Sequence, residues 1–372
     1  MNIIADKNIP YLKGIGEAFG NITYLSGNEF TKESIKNADT LIVRTVTHFD
    51  ENILDGSLVK LICSATIGYD HIDTEYCDSH GITWKNAPGC NSGSVQQYVA
   101  SALITIAEKK NFSLKGKTIG IVGVGNVGKK VAAICEILGM RVLKNDPPRE
   151  QAEQSGEFVS LDVIKKDADF ITFHTPLTKE GEYKTFHLAD KSFFDTLGKK
   201  PIIINSARGG IIDTASIKEA ILNDKISGAI IDCWEKEPDI DIEYVHLVDI
   251  ATPHIAGYSA DGKANATRMS LESIAEFWSL DPTPAKKVVP PSIDNPIIDF
   301  SLLEGDQFEQ AILKTYNPLE DYAKLLDNPE KFSSLRSNYR LRREFPAYTV
   351  KNIDNRDVRV LCRKIGFNIE AI

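Results

Sequence analysis

Four features are missing from this sequence, and each absence removes a class of explanation. No apolar run approaches the roughly 20 residues that span a bilayer, so no membrane partner is expected. No Cys-x-x-Cys pair occurs among the six cysteines, Cys63, Cys77, Cys90, Cys135, Cys233 and Cys362. Structural zinc, any other metal and a disulfide framework are therefore not expected, and most of the thiols read as small core residues. Cys90 and Cys233 stand close to motif residues, but nothing near them in sequence would activate a nucleophile. No basic block appears before the C-terminal region, and the net charge is −9, so nucleic acid is not an expected partner. Met1 to Asp6 run straight into a strand-like pattern without a charged-then-apolar leader. A cytoplasmic setting is the expectation. Neither a solenoid-period repeat nor a low-complexity tract is present.

What is present is a rhythm. The chain has 372 residues, enough for two or three domains. Up to about residue 95, short apolar strands alternate with helical stretches: Asn2–Ala5, Ile22–Leu25, Thr40–Val43, Leu61–Ser64 and Ile82–Lys85. A long helix is predicted over Ser92–Lys109. The rhythm then resumes with Lys117–Val122, Arg141–Asn145, Asp169–His174, Pro201–Asn205, Ile226–Asp232 and Asp249–Ala251. Another helix, Ala260–Leu280, is expected to return to the first domain. The fold class is α/β: two doubly wound, Rossmann-like parallel-sheet lobes with a cleft between them, plus a smaller α+β C-terminal domain. The expected boundaries are 1–95 with 258–285, then 96–257, then 286–372. Asp281-Pro-Thr-Pro and Val289-Pro-Pro break the pattern before that last module. Within it, Val358–Cys362 reads as β-like.

The most informative stretch is Gly123-Val124-Gly125-Asn126-Val127-Gly128. It follows a buried-strand run and opens an apolar-periodic helix, Val127–Leu138. The strand Arg141–Asn145 then delivers Asp146, eighteen residues after Gly128. In that context the glycines serve a tight turn, a close approach to a pyrophosphate and close helix–strand packing. Asp146 is placed for the adenosine ribose hydroxyls and would repel a 2′-phosphate, so NAD rather than NADP is the expected cofactor. Arg149 nearby could host such a phosphate unless Pro147-Pro148 aim it elsewhere.

Three polar residues lie just beyond later strands: Arg208, Glu237 and His254. Ligands of open α/β sheets bind outside the carboxyl ends of strands. A guanidinium grips a carboxylate at two points. An imidazole takes a hydroxyl proton as hydride leaves the same carbon, and a neighbouring carboxylate orients that imidazole. Each residue alone has a bland reading: a strand-end charge, a loop acid, a turn histidine. Together, beside a dinucleotide turn, they specify hydride transfer to or from a 2-hydroxy acid.

At these residues the chain resembles the D-isomer-specific 2-hydroxyacid dehydrogenases. The stretches are Asn205–Asp213, Asp232–Pro238, Thr252–Gly257, Ala65–Asp73 and Asn86–Asn91, five motifs in family order over residues 1 to about 280. The resemblance implies Arg208 as carboxylate anchor, His254 as acid/base and Glu237 as its partner. It also implies Thr175, Ala207, Asp232 and Gly257 at the cofactor, and Thr45, Thr66 and Tyr258 at the substrate. Many members carry glycine where this chain has Thr66, whose hydroxyl can bond substrate but leaves less room.

Arg44-Thr45-Val46-Thr47 and the tail residues Tyr316, Pro318, Phe332, Leu335, Arg336, Tyr339 and Arg342-Arg343-Glu344 resemble one subgroup. It oxidises a 4-phosphorylated, four-carbon 2-hydroxy acid at C2 in vitamin B6 biosynthesis, as a homodimer joined through the C-terminal domain. Arg44, at the end of a strand and followed by two hydroxyls, is the candidate for the substrate phosphate. The tail arginines Arg336, Arg340, Arg342 and Arg343 read either as a solvated or interface face or as assistance to that phosphate. Alternatives are a 3-phosphoglycerate dehydrogenase or hydroxypyruvate reductase and, from another class, a dinucleotide-sensing corepressor or scaffold.

Overall fold

A computed structural model describes residues 1–370, so the last two positions of the expected tail module lie outside the described residues. Contacts divide the chain into two compact units. One joins Met1–Asn91 to Ser259–Ser292, and the other joins Ser92–Tyr258 to everything from Ile293 onward.

The first unit holds β1 (Asn2–Asp6), β2 (Asn21–Leu25), β3 (Thr40–Val43), β4 (Leu61–Ser64) and β5 (Thr83–Lys85). They form one parallel sheet in the order β2-β1-β3-β4-β5. β3 and β4 are buried along their whole length, which explains their unbroken character: both faces of a parallel sheet are covered. Leu271, Ile274 and Ala275 of the helix Ala260–Trp278 cover one face, against Ile3, Ala5 and Leu61. Phe30, Ile35, Phe49 and Leu54 cover the other. Ser259 caps that helix by accepting from the Gly262 amide.

The second unit holds β6 (Thr118–Val122), β7 (Arg141–Asn145), β8 (Phe170–Phe173), β9 (Ile202–Asn205), β10 (Gly228–Ile231) and β11 (Ile250–Ala251). All pairings are parallel, in the order β11-β10-β9-β8-β6-β7. The strand order reverses between β6 and β8. A crevice therefore opens beyond their carboxyl ends, where Gly123 and Thr175 stand. The helix Ser92–Lys109 is buried along nearly its whole length, and it carries no charged residue before Glu108.

The tail covers that helix. Its own strands, β12 (Ile297–Asp299), β13 (Thr349–Lys351) and β14 (Asn368–Ile369), make a small parallel sheet in the order β12-β13-β14. Phe300, Phe308, Ile312, Phe345 and Phe367 share one core with Tyr98, Leu103 and Ile106 of the long helix. Gln97 donates to Thr315 Oγ1 at 3.0 Å and to the Arg343 carbonyl at 2.9 Å. The tail is thus packed into the nucleotide-type unit rather than set apart from it. The β-like reading of Val358–Cys362 fails, because those residues lie within the helix Arg356–Ile365. Asn355 accepts from two of its first amides and Gly366 ends it in the left-handed region, so capping overrides the β-branched residues.

No helix among the described residues is long and apolar enough to cross a membrane. All six cysteines are buried free thiols.

Candidate active site

The glycine turn has the geometry a dinucleotide needs. Gly123 sits at φ +89°, where a Cβ would stand 2.7 Å from the Thr175 amide nitrogen. A Cβ on Gly128 would stand 2.0 Å from the Gly123 carbonyl oxygen. Gly125 faces open space and starts the helix Asn126–Ile137 with no side-chain cap. The first amides, of Asn126, Val127 and Gly128, thus lack a capping side chain, and the positive end of the helix dipole is open to an anion. Buried hydroxyls of Thr175 and Ser206 have no hydrogen-bond partner among the described residues. Orphaned polar atoms at the ends of β8 and β9 are what an absent polar ligand leaves behind. The residues present therefore fit NAD.

Asp146 braces the glycine turn from the next strand end. One carboxylate oxygen accepts from the Val124 amide at 2.8 Å and the other caps the next helix through the Arg149 amide. Arg149 is committed elsewhere. Its guanidinium donates to the Val124 carbonyl and pairs with both oxygens of Glu153 at 2.7 Å. No arginine at this position is left to host a 2′-phosphate.

The candidate acid/base pair lies on two loops beyond β10 and β11. His254 Nδ1 is 2.7 Å from Glu237 Oε2. Glu237 Oε1 accepts from the Trp234 amide at 2.9 Å, which fixes the carboxylate plane. Burial alone would raise the Glu237 carboxyl. The His254 hydrogen bond and charge, the Trp234 amide and Arg336 outweigh burial and hold it below the ordinary glutamate range. A proton on Nδ1 would bond the Glu237 carboxylate and leave Nε2 with a free lone pair. His254 and Lys236 both sit in the left-handed region, at φ +55° and +59°. Non-glycine residues are held there only where neighbours over-determine them, and such strain gathers at working sites.

Arg208 stands on the turn after β9. Asn205 braces this turn, donating to the Arg208 carbonyl at 2.9 Å and accepting from the Ala207 amide at 3.1 Å. Arg208 Nη1 donates to the Ala207 carbonyl at 2.8 Å. Asp232 is buried and spends its oxygens on Thr252 Oγ1 (2.6 Å) and the amides of Ile255 (2.8 Å) and Ala256 (2.9 Å). It organises the His254 loop, a role the motif alone did not reveal. Burial raises its carboxyl above the usual range despite those donors. Cys233 lies beside the pair, yet burial pushes its thiol far above the ordinary value, so it is no nucleophile.

In the first unit, Arg44 is paired with Asp6 through Nη2, 3.1 Å from each carboxylate oxygen. The arginine expected to hold the substrate phosphate thus already has a buried carboxylate partner. Thr45 is exposed. Thr66 donates to the Gly68 carbonyl at 2.9 Å and shares a 2.7 Å hydrogen bond with Ser64 Oγ.

The tail arginines were the least legible residues, and they are not a uniform solvated face. Arg342 is only 3 % exposed. Its Nη2 donates to the carbonyls of Ile255 (3.0 Å) and Ala256 (2.6 Å) and to Ser94, and its guanidinium lies 4.5 Å over the Tyr316 ring. Arg340 pairs with Glu320 and Asp321. Arg336 lies 5.4 Å over the Tyr258 ring, with Nη1 3.6 Å from Glu237 Oε2. Tyr339, set among these arginines in the sequence, was the available local signal for buried cations, whereas Tyr316 lies twenty residues before the first of them.

Residues 94–256 match the family described as D-isomer specific 2-hydroxyacid dehydrogenase, NAD binding domain. Residues 297–366 match a domain of unknown function, DUF3410. An erythronate-4-phosphate dehydrogenase of Bacteroides thetaiotaomicron is 52% identical over 95% of this chain and 100% of its own length. One from Porphyromonas gingivalis is 43% identical, over 97% of this chain and 98% of its own length. The chain belongs to the erythronate-4-phosphate dehydrogenase family. A more remote relative of that name, from Escherichia coli, is 37% identical over 99% of this chain and 98% of its own. Among solved structures, NAD+-bound 3-phosphoglycerate dehydrogenase of Entamoeba histolytica superposes with a TM-score of 0.64 at 28% identity, over 75% of this chain and 95% of its own. D-lactate dehydrogenase of Aquifex aeolicus, complexed with NAD and lactic acid, shares the fold with a TM-score of 0.62 at 24% identity, over 78% of this chain and 100% of its own.

Proposed function

We propose that this protein oxidises 4-phospho-D-erythronate at C2 to (R)-3-hydroxy-2-oxo-4-phosphooxybutanoate, with NAD, in vitamin B6 biosynthesis. The observation that carries the reading is the 2.7 Å Glu237–His254 pair. It stands in the same unit as a dinucleotide turn, in a chain that matches the curated relatives through its tail as well as its sheets.

The chemistry follows from the residues. Arg208 presents its free guanidinium nitrogens to the substrate carboxylate and fixes which face of C2 is offered. His254 Nε2 takes the C2 hydroxyl proton. Glu237 holds the ring through Nδ1 and stabilises the imidazolium as that proton arrives. When bound, NAD supplies the acceptor for the hydride leaving C2. The Asn126–Gly128 amides take its pyrophosphate, Asp146 its ribose, and Thr175, Ala207, Asp232 and Gly257 line the rest of its site. Thr45, Thr66 and Tyr258 are assigned to the substrate. Arg44 is assigned to the phosphate, through the guanidinium edge that Asp6 leaves unused.

A 3-phosphoglycerate dehydrogenase or hydroxypyruvate reductase is the weaker reading, because the solved 3-phosphoglycerate dehydrogenase leaves a quarter of this chain without a counterpart. A corepressor or scaffold has no need of an oriented acid/base pair. The reading further makes the protein a cytoplasmic homodimer joined through the tail. Leu302 and Ile297 leave apolar side chains 79 % and 57 % exposed there, surface of the kind a second copy covers. Steady-state oxidation of a panel of 2-hydroxy acids tests the substrate. The highest kcat/KM should fall on 4-phosphoerythronate, and a preference for 3-phosphoglycerate or no turnover at all would refute it.

A further inference from the structure

We propose that Arg336 is a positioning residue for the acid/base pair: its guanidinium shares one oxygen of Glu237 with His254 and limits how strongly that carboxylate holds the imidazole protonated. The inference rests on the proposed reading of His254 as the base.

The placement is specific. Arg336 lies on the short helix Phe332–Ser337, which Phe332 and Leu335 anchor in the core beside Leu325. From there its guanidinium lies over Tyr258, which fixes its direction. Nη1 stands 3.6 Å from Glu237 Oε2, the oxygen that His254 Nδ1 approaches to 2.7 Å. The two nitrogens that share this oxygen, His254 Nδ1 and Arg336 Nη1, lie within about 6 Å of each other. The pair is largely screened from water: the side chains of His254 and Glu237 are 24% and 19% exposed. Arg336 Nε is buried and makes no hydrogen bond among the described residues, so the group is not held by a competing acceptor at that nitrogen.

The consequence is electrostatic. A carboxylate with histidine as its only cationic partner raises that histidine strongly. A base raised too far is already protonated at neutral pH and cannot accept the C2 proton. A guanidinium on the same oxygen remains charged throughout this range, opposes the imidazolium, and leaves the hydrogen bond that orients the ring intact. The other charged or titratable groups facing the pair are Asp232 and Cys233 on the Glu237 loop and Arg208 from the turn after β9. Asp232 is tied to the backbone, and Cys233 stays a neutral thiol. Arg336 is therefore the added cation that acts on Glu237 directly. It lies in the segment that matches the domain of unknown function, which gives that segment a part in the chemistry.

The test is a ¹⁵N-histidine NMR titration of the full-length, substrate-free protein, with the His254 signals assigned by their loss in His254→Ala. Arg336→Gln and Arg336→Met should each raise the His254 midpoint by about half a unit or more, and Arg336→Lys should restore most of it. The acid limb of the kcat/KM profile should move the same way, with kcat changed more than KM at pH 6.5. A wild-type midpoint in either folded neutral variant overturns the proposal. So does a rise in KM with an unchanged pH profile, which would make Arg336 a substrate grip. The titration needs no substrate, so failure of the wild-type protein to oxidise 4-phosphoerythronate would refute the proposed function and leave this inference standing or falling separately.

Discussion

Asp232 and Arg342 hold the same two residues, one through their amides and the other through their carbonyls. Asp232 accepts from the amides of Ile255 and Ala256, while Arg342 donates to the carbonyls of those same residues. His254 immediately precedes the clamped pair. His254 is thus carried on a loop fixed by a buried carboxyl just beyond β10 and a buried cation from the tail.

Removing the cation leaves the Ile255 carbonyl to the Tyr258 amide and the Ala256 carbonyl to Ser94, and takes from Asp232 its counter-charge across the loop. Arg342→Met should cost roughly 3–5 kcal/mol of stability, the range for breaking a buried ionic contact from one side. Urea unfolding gives the number. At temperatures where the variant stays folded, kcat should fall more than KM because His254 loses its aim. A stability equal to wild type would show that the clamp is not needed to hold the loop.

Loss of the base is the most direct test of the chemistry. His254→Ala should lower kcat about 10²–10⁴-fold. Glu237→Gln keeps a hydrogen-bonding side chain but removes the charge, so its loss should be smaller and should come with a downward shift of the acid limb. Stopped-flow NADH absorbance reads both variants, and near-normal turnover in His254→Ala would remove His254 from the mechanism.

Much of this site was readable because its parts are local. The glycine turn, Asp146, Arg208, Glu237 and His254 each sit within a few residues of a strand end, and a strand followed by a turn residue is visible in one dimension. The two parallel sheets were visible for the same reason. The braces were not. Arg342 meets Ala256 across 86 positions and Ser94 across 248, distances at which no periodicity carries information. Asp6 was missed as the partner of Arg44 because β1 and β3 become neighbours only once the sheet forms. At Val358–Cys362 local β-propensity pointed one way, and the caps at Asn355 and Gly366 decided the other.

Cofactor choice should turn on one charge. Asp146→Ser keeps a small polar group near the Val124 amide and removes the repulsion of a 2′-phosphate. The ratio of kcat/KM for NAD to that for NADP should drop about tenfold or more, equivalent to roughly 1.4 kcal/mol. An unchanged ratio would mean that discrimination lies elsewhere, with Arg149 still bound to Glu153.

Acid should weaken the first unit through His71. It is buried, with Nδ1 unpartnered among the described residues, and burial lowers it to about 4 against the attraction of Asp70. The unfolded chain takes up this proton below about pH 6.5, whereas the folded chain waits until about pH 4. Stability should therefore fall as pH drops through that window, by roughly 1–3 kcal/mol at pH 4.5 relative to 7.5. His71→Gln should flatten this part of the profile in urea melts at those two pH values. An equal slope in the variant would assign the acid sensitivity to other groups.

The clamp on Ile255-Ala256 also sets an order of events during synthesis. β6 to β11, the dinucleotide turn and His254 itself all leave the ribosome before Arg342 does. A nascent chain can carry Arg208, Glu237 and His254 and still lack the cation that secures the loop between β11 and the helix Ala260–Trp278. The His254 loop is thus secured by a residue made 88 positions after His254 itself, so a chain stopped between the two would retain the chemical groups without the clamp that fixes their arrangement.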